Sequence, residues 1–392
     1  MDPPPPKNVF DEMVKQFKKN NKQNEDEMIE NKRQMIQIMT DYCSSTSPEN
    51  VYELKKMLEL KFSKEVDCTY CYTNTPINYG CDLREIFYDR ENNLIDGGEE
   101  LLDLFKRKKL PDMWHIMTDI DDTLYPNTEH GTFIAGSDKS WKQKIAYPGI
   151  KKLYQFFHAN PSCSTYSTVL SATPGCLKTS KLKDKKNLLH NILGGDYGFI
   201  QGIESKGEII THIPEIFANC VGHLCEKNKK TNINNISGLF TLFGETKFER
   251  FEQYLTLFPE YKILFIGDNG QGDVLAGTRM IEYSPSCHVF IHKVSEDGKT
   301  FRESEEESTE RLHFFTNYGE LAEKFAEMSI FTVENVEEIK KSIIKAVKST
   351  EFKELYTSVL NTGGRKLIRC TKKRCTKKKR SKNKKRKSYK RK

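Results

Sequence analysis

A chain of 392 residues, 36% hydrophobic and 30% charged, carries enough apolar material for one large or two modest domains, and no apolar run reaches the ~18–20 residues of a membrane span. Lys and Arg total 63 against 55 Asp and Glu, but residues 365–392 hold 18 of the bases and no acid, leaving 45 bases against 55 acids in residues 1–364. An acidic body with a basic tail excludes a basic nucleic-acid-binding domain as the main fold.

Met1-Asp2-Pro3-Pro4-Pro5-Pro6 lacks the apolar stretch of a secretory signal. Eleven scattered cysteines fit reduced thiols. The expected location is the cytoplasm, with membrane-peripheral or nuclear placement left open by the tail.

Phe10, Met13, Val14 and Phe17 share a helical face, and Val51, Leu54 and Leu58 do so behind Ser47-Pro48, a helix-start signal. Residues 66–98 mix Tyr, Thr, Asn, Pro and Gly, which predicts loops and short strands. Leu101–Phe105 predicts a short helix. Residues 1–110 are thus expected to form a mostly helical accessory region. Cys68-Thr-Tyr-Cys71, with Cys81 nearby, has a zinc-like spacing, but a structural site needs four ligands and no second pair completes it. Cys220, His223 and Cys225 fail the same test.

From 111 to 330 the pattern becomes α/β. Met113–Met117, Ser167–Leu170, Ile263–Ile266 and His288–His292 are apolar runs of buried-strand length. Ile150–Phe157 reads as a helix. Phe248, Phe251, Leu255 and Phe258 line one face of another, which Pro259 stops and Lys247 is expected to open. Strands alternating with helices predict a doubly wound, mainly parallel sheet, whose ligands bind beyond the C-terminal strand ends. Glu303–Glu310 predicts a solvated loop or exposed helix. Residues 331–364, with a surface helix from Glu334 to Thr350, form a helical extension. Like-charge repulsion predicts that 365–392 is disordered.

Four polar clusters sit at the ends of these elements. Asp119-Ile-Asp121-Asp-Thr123 follows the first strand. A carboxylate there can attack phosphorus, and one two residues on can exchange protons with the leaving oxygen and with water. Such a pair also suits Mg²⁺, which prefers oxygen ligands. An isolated Asp-x-Asp is more often an acidic turn. Ser171-Ala-Thr-Pro-Gly175 offers a hydroxyl to a phosphoryl oxygen, though alone it is ordinary turn chemistry. Lys247 can neutralise phosphoryl charge, yet a lone lysine is usually a solvated surface group. Gly267-Asp268-Asn-Gly-Gln-Gly-Asp273 allows close backbone approach and supplies two more carboxylates. Each cluster is weak alone; their order and placement together are specific.

The ordered set resembles the haloacid dehalogenase superfamily of aspartate-nucleophile phosphatases. With Tyr147-Pro-Gly-Ile150, Leu170-Ser171-x-x-Pro174, Phe258-Pro259 and Phe265-Ile-Gly-Asp268-x-Gly-Gln-x-Asp273, it is similar to the phosphatidate phosphatase catalytic domain of the yeast actin-patch-associated enzyme family. The match spans about 113–325. Ser171-Ala-Thr-Pro-Gly175 departs from the family's Ser-Asn-Ser-Pro-Trp. Asn269 replaces a usual serine, and Val274-Leu-Ala276 replaces an Asp-Pro-Glu-Ile-Tyr-like continuation. These positions flank the cleft and bear on substrate choice.

The resemblance implies a haloacid dehalogenase-like Rossmannoid sheet and a Mg²⁺-dependent phosphomonoester hydrolase. Asp119 would be nucleophile and metal ligand. Asp121 would be the acid/base, also giving its backbone carbonyl to the metal. Thr123 would shape the turn, and Ser171 and Lys247 would hold the phosphoryl group. Asp268 would complete the metal site, with Asp273 as an outer or orienting carboxylate. Spacing leaves no room for a large cap after Asp121, whereas a modest cover fits around Gly194–Asn235. The expected substrate is a phosphorylated lipid, with nucleotides, nucleic-acid ends, phosphoproteins or a non-catalytic interaction role as alternatives. The tail is expected to meet a polyanionic surface, either an anionic membrane or nucleic acid, or an import receptor.

Overall fold

The computed structural model describes residues 4–19, 25–65, 69–72, 75–78, 83–89, 93–126, 145–171, 182–201, 233–270, 272–294 and 308–349. The Cys68 and Cys81 positions, the Cys220–Cys225 group, residues 303–307 and the basic tail lie outside them.

Three helices come first: α1 (Pro6–Lys19), α2 (Glu25–Ser45) and α3 (Pro48–Glu65). A two-stranded antiparallel ribbon follows, β1 (Thr69–Tyr72) with β2 (Thr75–Asn78), and then α4 (Leu83–Phe87) and α5 (Gly98–Arg107). Helix α4 falls where only loops and short strands are expected, and helix α2 is a further addition to the predicted elements. Its buried positions Met35, Ile36, Met39, Tyr42 and Cys43 keep helical spacing only over its second half, after a polar first half.

The α/β body runs β3 (Met113–Thr118), α6 (Ile150–Ala159), β4 (Thr168–Ser171), α7 (Leu182–Leu193), β5 (Gly198–Gln201), α8 (Ile233–Leu257), β6 (Tyr261–Asp268), α9 (Asp273–Tyr283), β7 (His288–His292), β8 (Leu312–Phe315), α10 (Tyr318–Glu327) and α11 (Val333–Ser349). Its six strands pair in the order β5-β4-β3-β6-β7-β8, every pair parallel.

Side chains alternate across the strands, and both faces are buried, so the apolar runs are continuous rather than alternating. Met117, Ile263, Phe265, Val289 and Ile291 join one cluster with α8, α9 and the N-terminal helices. Ile116, Leu264, Ile266 and Phe290 join the other with α6, α7, α10 and α11. The sheet is therefore doubly wound, and the accessory helices share a continuous core with it. Helix α11 lies at the surface but buries Val336, Ile339 and Ile343. Among the described residues, no helix is long and apolar enough to cross a membrane.

One buried and one half-buried histidine make this core sensitive to acid. His115 lies face to face with Tyr261 at a ring separation of 4.2 Å. The Ser164 hydroxyl already donates to the Tyr166 carbonyl at 2.6 Å, so it accepts from His115 Nδ1–H at 2.7 Å, and Nε2 faces the Thr168 hydroxyl at 3.0 Å. Burial holds His115 well below its ordinary pKa and lowers His158, bonded to Ser167 at 2.9 Å, to about 4. The unfolded chain takes these protons near pH 6.5 while the fold resists them. The histidines' own contribution should cost nothing above about pH 6.5 and lower stability progressively as pH falls toward about 4. Chemical unfolding of the unaltered protein and of His158→Gln at pH 7 and pH 5 checks this: the unaltered protein should lose stability relative to the variant at the lower pH.

Candidate active site

The connections wind outward from β3 to β4 and β5 on one side, and from β6 to β7 and β8 on the other. Beyond the carboxyl ends of β3 and β6 lies the point where the winding reverses, and sheets of this kind bind ligands there. Asp119 leaves β3 at this place, its N–H still donating to the Ile266 carbonyl at 2.9 Å. Asp268 ends β6 and Asp273 begins α9. Ser171 ends β4, the strand next to β3.

Lys247 does not open a helix, as its sequence context predicts; it lies well inside the 25-residue α8. The apolar face on which that prediction rested continues upstream through buried Phe240 and Phe243. From mid-helix, its ammonium donates to Asp119 Oδ1 at 2.9 Å and to Asp273 Oδ1. Asp273 Oδ2 accepts from the Asp268 N–H at 3.1 Å. Four charged side chains from three elements and one strand-end turn thus meet, each 4% exposed or less.

The glycine-rich loop makes this approach possible. Gly272 has φ +84, and a Cβ there would strike the Phe240 carbonyl and the Gly244 backbone of α8. A Cβ at Gly267 would strike Asp273. Glycine at both positions lets α8, which carries Lys247, and the turn into α9, which carries Asp273, close on β6.

Electrostatically, three carboxylates face one ammonium. Burial first, and then Asp273, Asp122 and Asp119, hold Asp268 well above the ordinary carboxylate range. Burial raises Asp273 to about 8 despite Lys247. For Lys247, burial works against the charge, but Asp119 and Asp273 outweigh it and raise its pKa. The pocket carries excess negative charge, which a cation would relieve.

Oxygens of Asp119, Asp268 and Asp273 lie within 4.8 Å of one another, so the group could hold a metal ion. Asp119 Oδ2 and Asp268 Oδ2 are buried with no hydrogen-bond partner among the described residues. Both Asp273 oxygens are already engaged. An all-oxygen donor set with two uncommitted carboxylate oxygens suits a hard divalent ion such as Mg²⁺. Asp119 and Asp268 fit as ligands, and Asp273 fits as the group orienting Lys247.

Asp121 and Thr123 lie in the turn after β3. Thr123 is fully buried and Asp121 partly so. Residues 172–175 and 202–232, the latter including much of the expected cover, lie outside the described residues. Sequence reading missed the roles of His292 and Tyr318, which hydrogen-bond the Asp122 and Thr123 carbonyls of this turn. A histidine closing an otherwise apolar buried strand, as in His288-Val-Phe-Ile-His292, was the available signal. No family model, curated protein or solved structure matches the chain.

Proposed function

We propose that the protein is a Mg²⁺-dependent phosphomonoester hydrolase working through an aspartyl-phosphate. The observation that carries this reading is the buried meeting of Asp119, Lys247, Asp268 and Asp273 at the switch point of the sheet. Lys247 holds Asp119 Oδ1, which leaves Oδ2 uncommitted. Asp119 attacks phosphorus as the ester P–O bond breaks, and Asp121 passes its proton to the departing oxygen. Water then attacks phosphorus and gives its proton to Asp121. The bond to Asp119 breaks, and inorganic phosphate leaves with the nucleophile restored. Ser171 and Lys247 bind the phosphoryl oxygens. Mg²⁺ held by Asp119 and Asp268 would add further neutralisation of phosphoryl charge.

A phosphorylated lipid is the substrate suggested by the resemblance to phosphatidate phosphatases. The 18 Lys and Arg of residues 365–392 would draw the enzyme to an anionic surface, each contributing ~1 kcal/mol near a membrane. The test is a phosphate-release panel of phosphatidate vesicles, a nucleoside monophosphate, a phosphorylated DNA end and a phosphopeptide, each with Mg²⁺ and with chelator. Release from the vesicles that falls as salt rises supports the lipid reading; release confined to the DNA end moves the function to nucleic acid.

Mg²⁺ should also raise the melting temperature by several degrees, since ligand at ~100 times its Kd contributes about 2.7 kcal/mol. Asp268→Asn should largely abolish this shift. A metal-induced shift undiminished in that variant would remove Asp268 from the site.

A further inference from the structure

The turn after β3 must aim both Asp119 and Asp121, and its backbone is strained. Asp122 sits at φ +57, a left-handed conformation costly for a residue with a side chain. Within the turn, the Asp122 N–H donates to the Tyr125 carbonyl at 2.9 Å and the Leu124 N–H to Ile120 at 2.8 Å. Two side chains from elsewhere grip it as well. His292, at the end of β7, lies 2.8 Å through Nδ1 from the Asp122 carbonyl, and the Tyr318 hydroxyl of α10 donates to the Thr123 carbonyl. A carbonyl oxygen only accepts, so His292 Nδ1 carries the hydrogen.

His292 is 1% exposed. Tyr147 meets it edge-on at 4.7 Å, and Phe315 stacks on it at 5.2 Å, so the ring has little freedom to turn. The same residue reaches the other half of the site through its backbone. His292 pairs with Asp268 in the β6–β7 register, and its carbonyl accepts from the Asn269 N–H at 3.1 Å. Asn269 Oδ1 in turn accepts from the Val294 N–H at 3.0 Å.

We propose that His292 is a positioning residue that ties the Asp119–Asp121 turn to the Asp268 loop, with Tyr318 as the second point of the clamp. The proposal rests on the phosphatase reading for its kinetic consequence but not for the clamp itself. Loosening the turn should misplace Asp121 more than Asp119, because Asp119 is also held by Lys247 and the β3–β6 ladder. Protonation of the leaving oxygen would suffer first, and only poor leaving groups need that help.

The test uses the full chain and the variants His292→Leu, His292→Asn and Tyr318→Phe, with hydrogen exchange, melting temperature and kcat as readouts. His292→Leu should speed amide exchange at Asp122 and Leu124. It should cut kcat on glycerol phosphate by about tenfold or more, while 4-nitrophenyl phosphate changes by less than about threefold. His292→Asn, whose amide can still donate from nearly the same place, should restore most of both. Tyr318→Phe should give a milder version of the Leu pattern. Unchanged exchange in His292→Leu, equal losses on the two substrates, or no rescue by Asn would overturn the proposal, leaving His292 a packing residue whose loss lowers only the melting temperature. If the unaltered protein releases no phosphate under any condition, the phosphatase reading falls, and the exchange data alone decide the clamp.

Discussion

Asp119→Asn should reduce phosphate release by on the order of 10⁴-fold or more, the scale of losing a nucleophile that acts as a unit with its partners, with a melting temperature within a few degrees of the unaltered protein. The two parts of this expectation come from opposite electrostatic effects. Asn keeps the shape, and its amide oxygen can still accept from Lys247, but it cannot form an acyl phosphate. The lost attraction to Lys247 is offset by relief of repulsion from Asp268 and Asp273, which share the pocket. Acid-quench trapping of labelled phosphoenzyme should give signal for the unaltered protein and none for the variant. Near-normal turnover in Asp119→Asn would rule out the aspartyl-phosphate route.

Lys55→Ala should cost about 3–5 kcal/mol, the penalty for leaving a buried charge without its partner. Lys55 on α3 donates to both Glu260 oxygens, at 2.8 and 2.9 Å, and to the Leu257 carbonyl at 2.9 Å. Both side chains of the pair are 2% exposed or less. The ammonium also lies 4.8 Å from the ring centres of Phe105 and Phe258. At roughly 2–4 °C per kcal/mol, the melting temperature should drop by about 10 °C. The double variant Lys55→Met with Glu260→Gln should recover much of the loss, since two neutral groups leave no orphaned charge. Additive losses in that double-mutant cycle would show that the pair does not couple α3 to the sheet.

The pair also shows where sequence reading stops. Its members are 205 residues apart, and Lys55 in sequence is one of many lysines on a helix. Four of the six strands in the sheet were legible because a sheet buried on both faces demands short continuous apolar runs, and 113–117, 167–170, 263–266 and 288–292 are such runs; the edge strands β5 and β8, at Gly198–Gln201 and Leu312–Phe315, were not. The polar clusters were legible because they follow those runs immediately. Counted from Phe248, the apolar face puts Lys247 at a helix start; the upstream turns at Phe240 and Phe243 carry the same spacing more faintly.

By itself, then, the sequence determined the alternation of strands and helices around the four central strands and the residues that stand at their ends, since periodicity and turn chemistry are local properties. Only the tertiary structure decided what those residues meet. It put Lys247 between Asp119 and Asp273, committed both Asp273 oxygens, left one oxygen each of Asp119 and Asp268 without a partner among the described residues, and set His292 against the Asp122 carbonyl. The physical reason is that burial changes what a polar group needs. An exposed lysine or histidine is satisfied by water wherever it lies, whereas a buried one is restricted to places where the fold, often from far along the chain, supplies its partner.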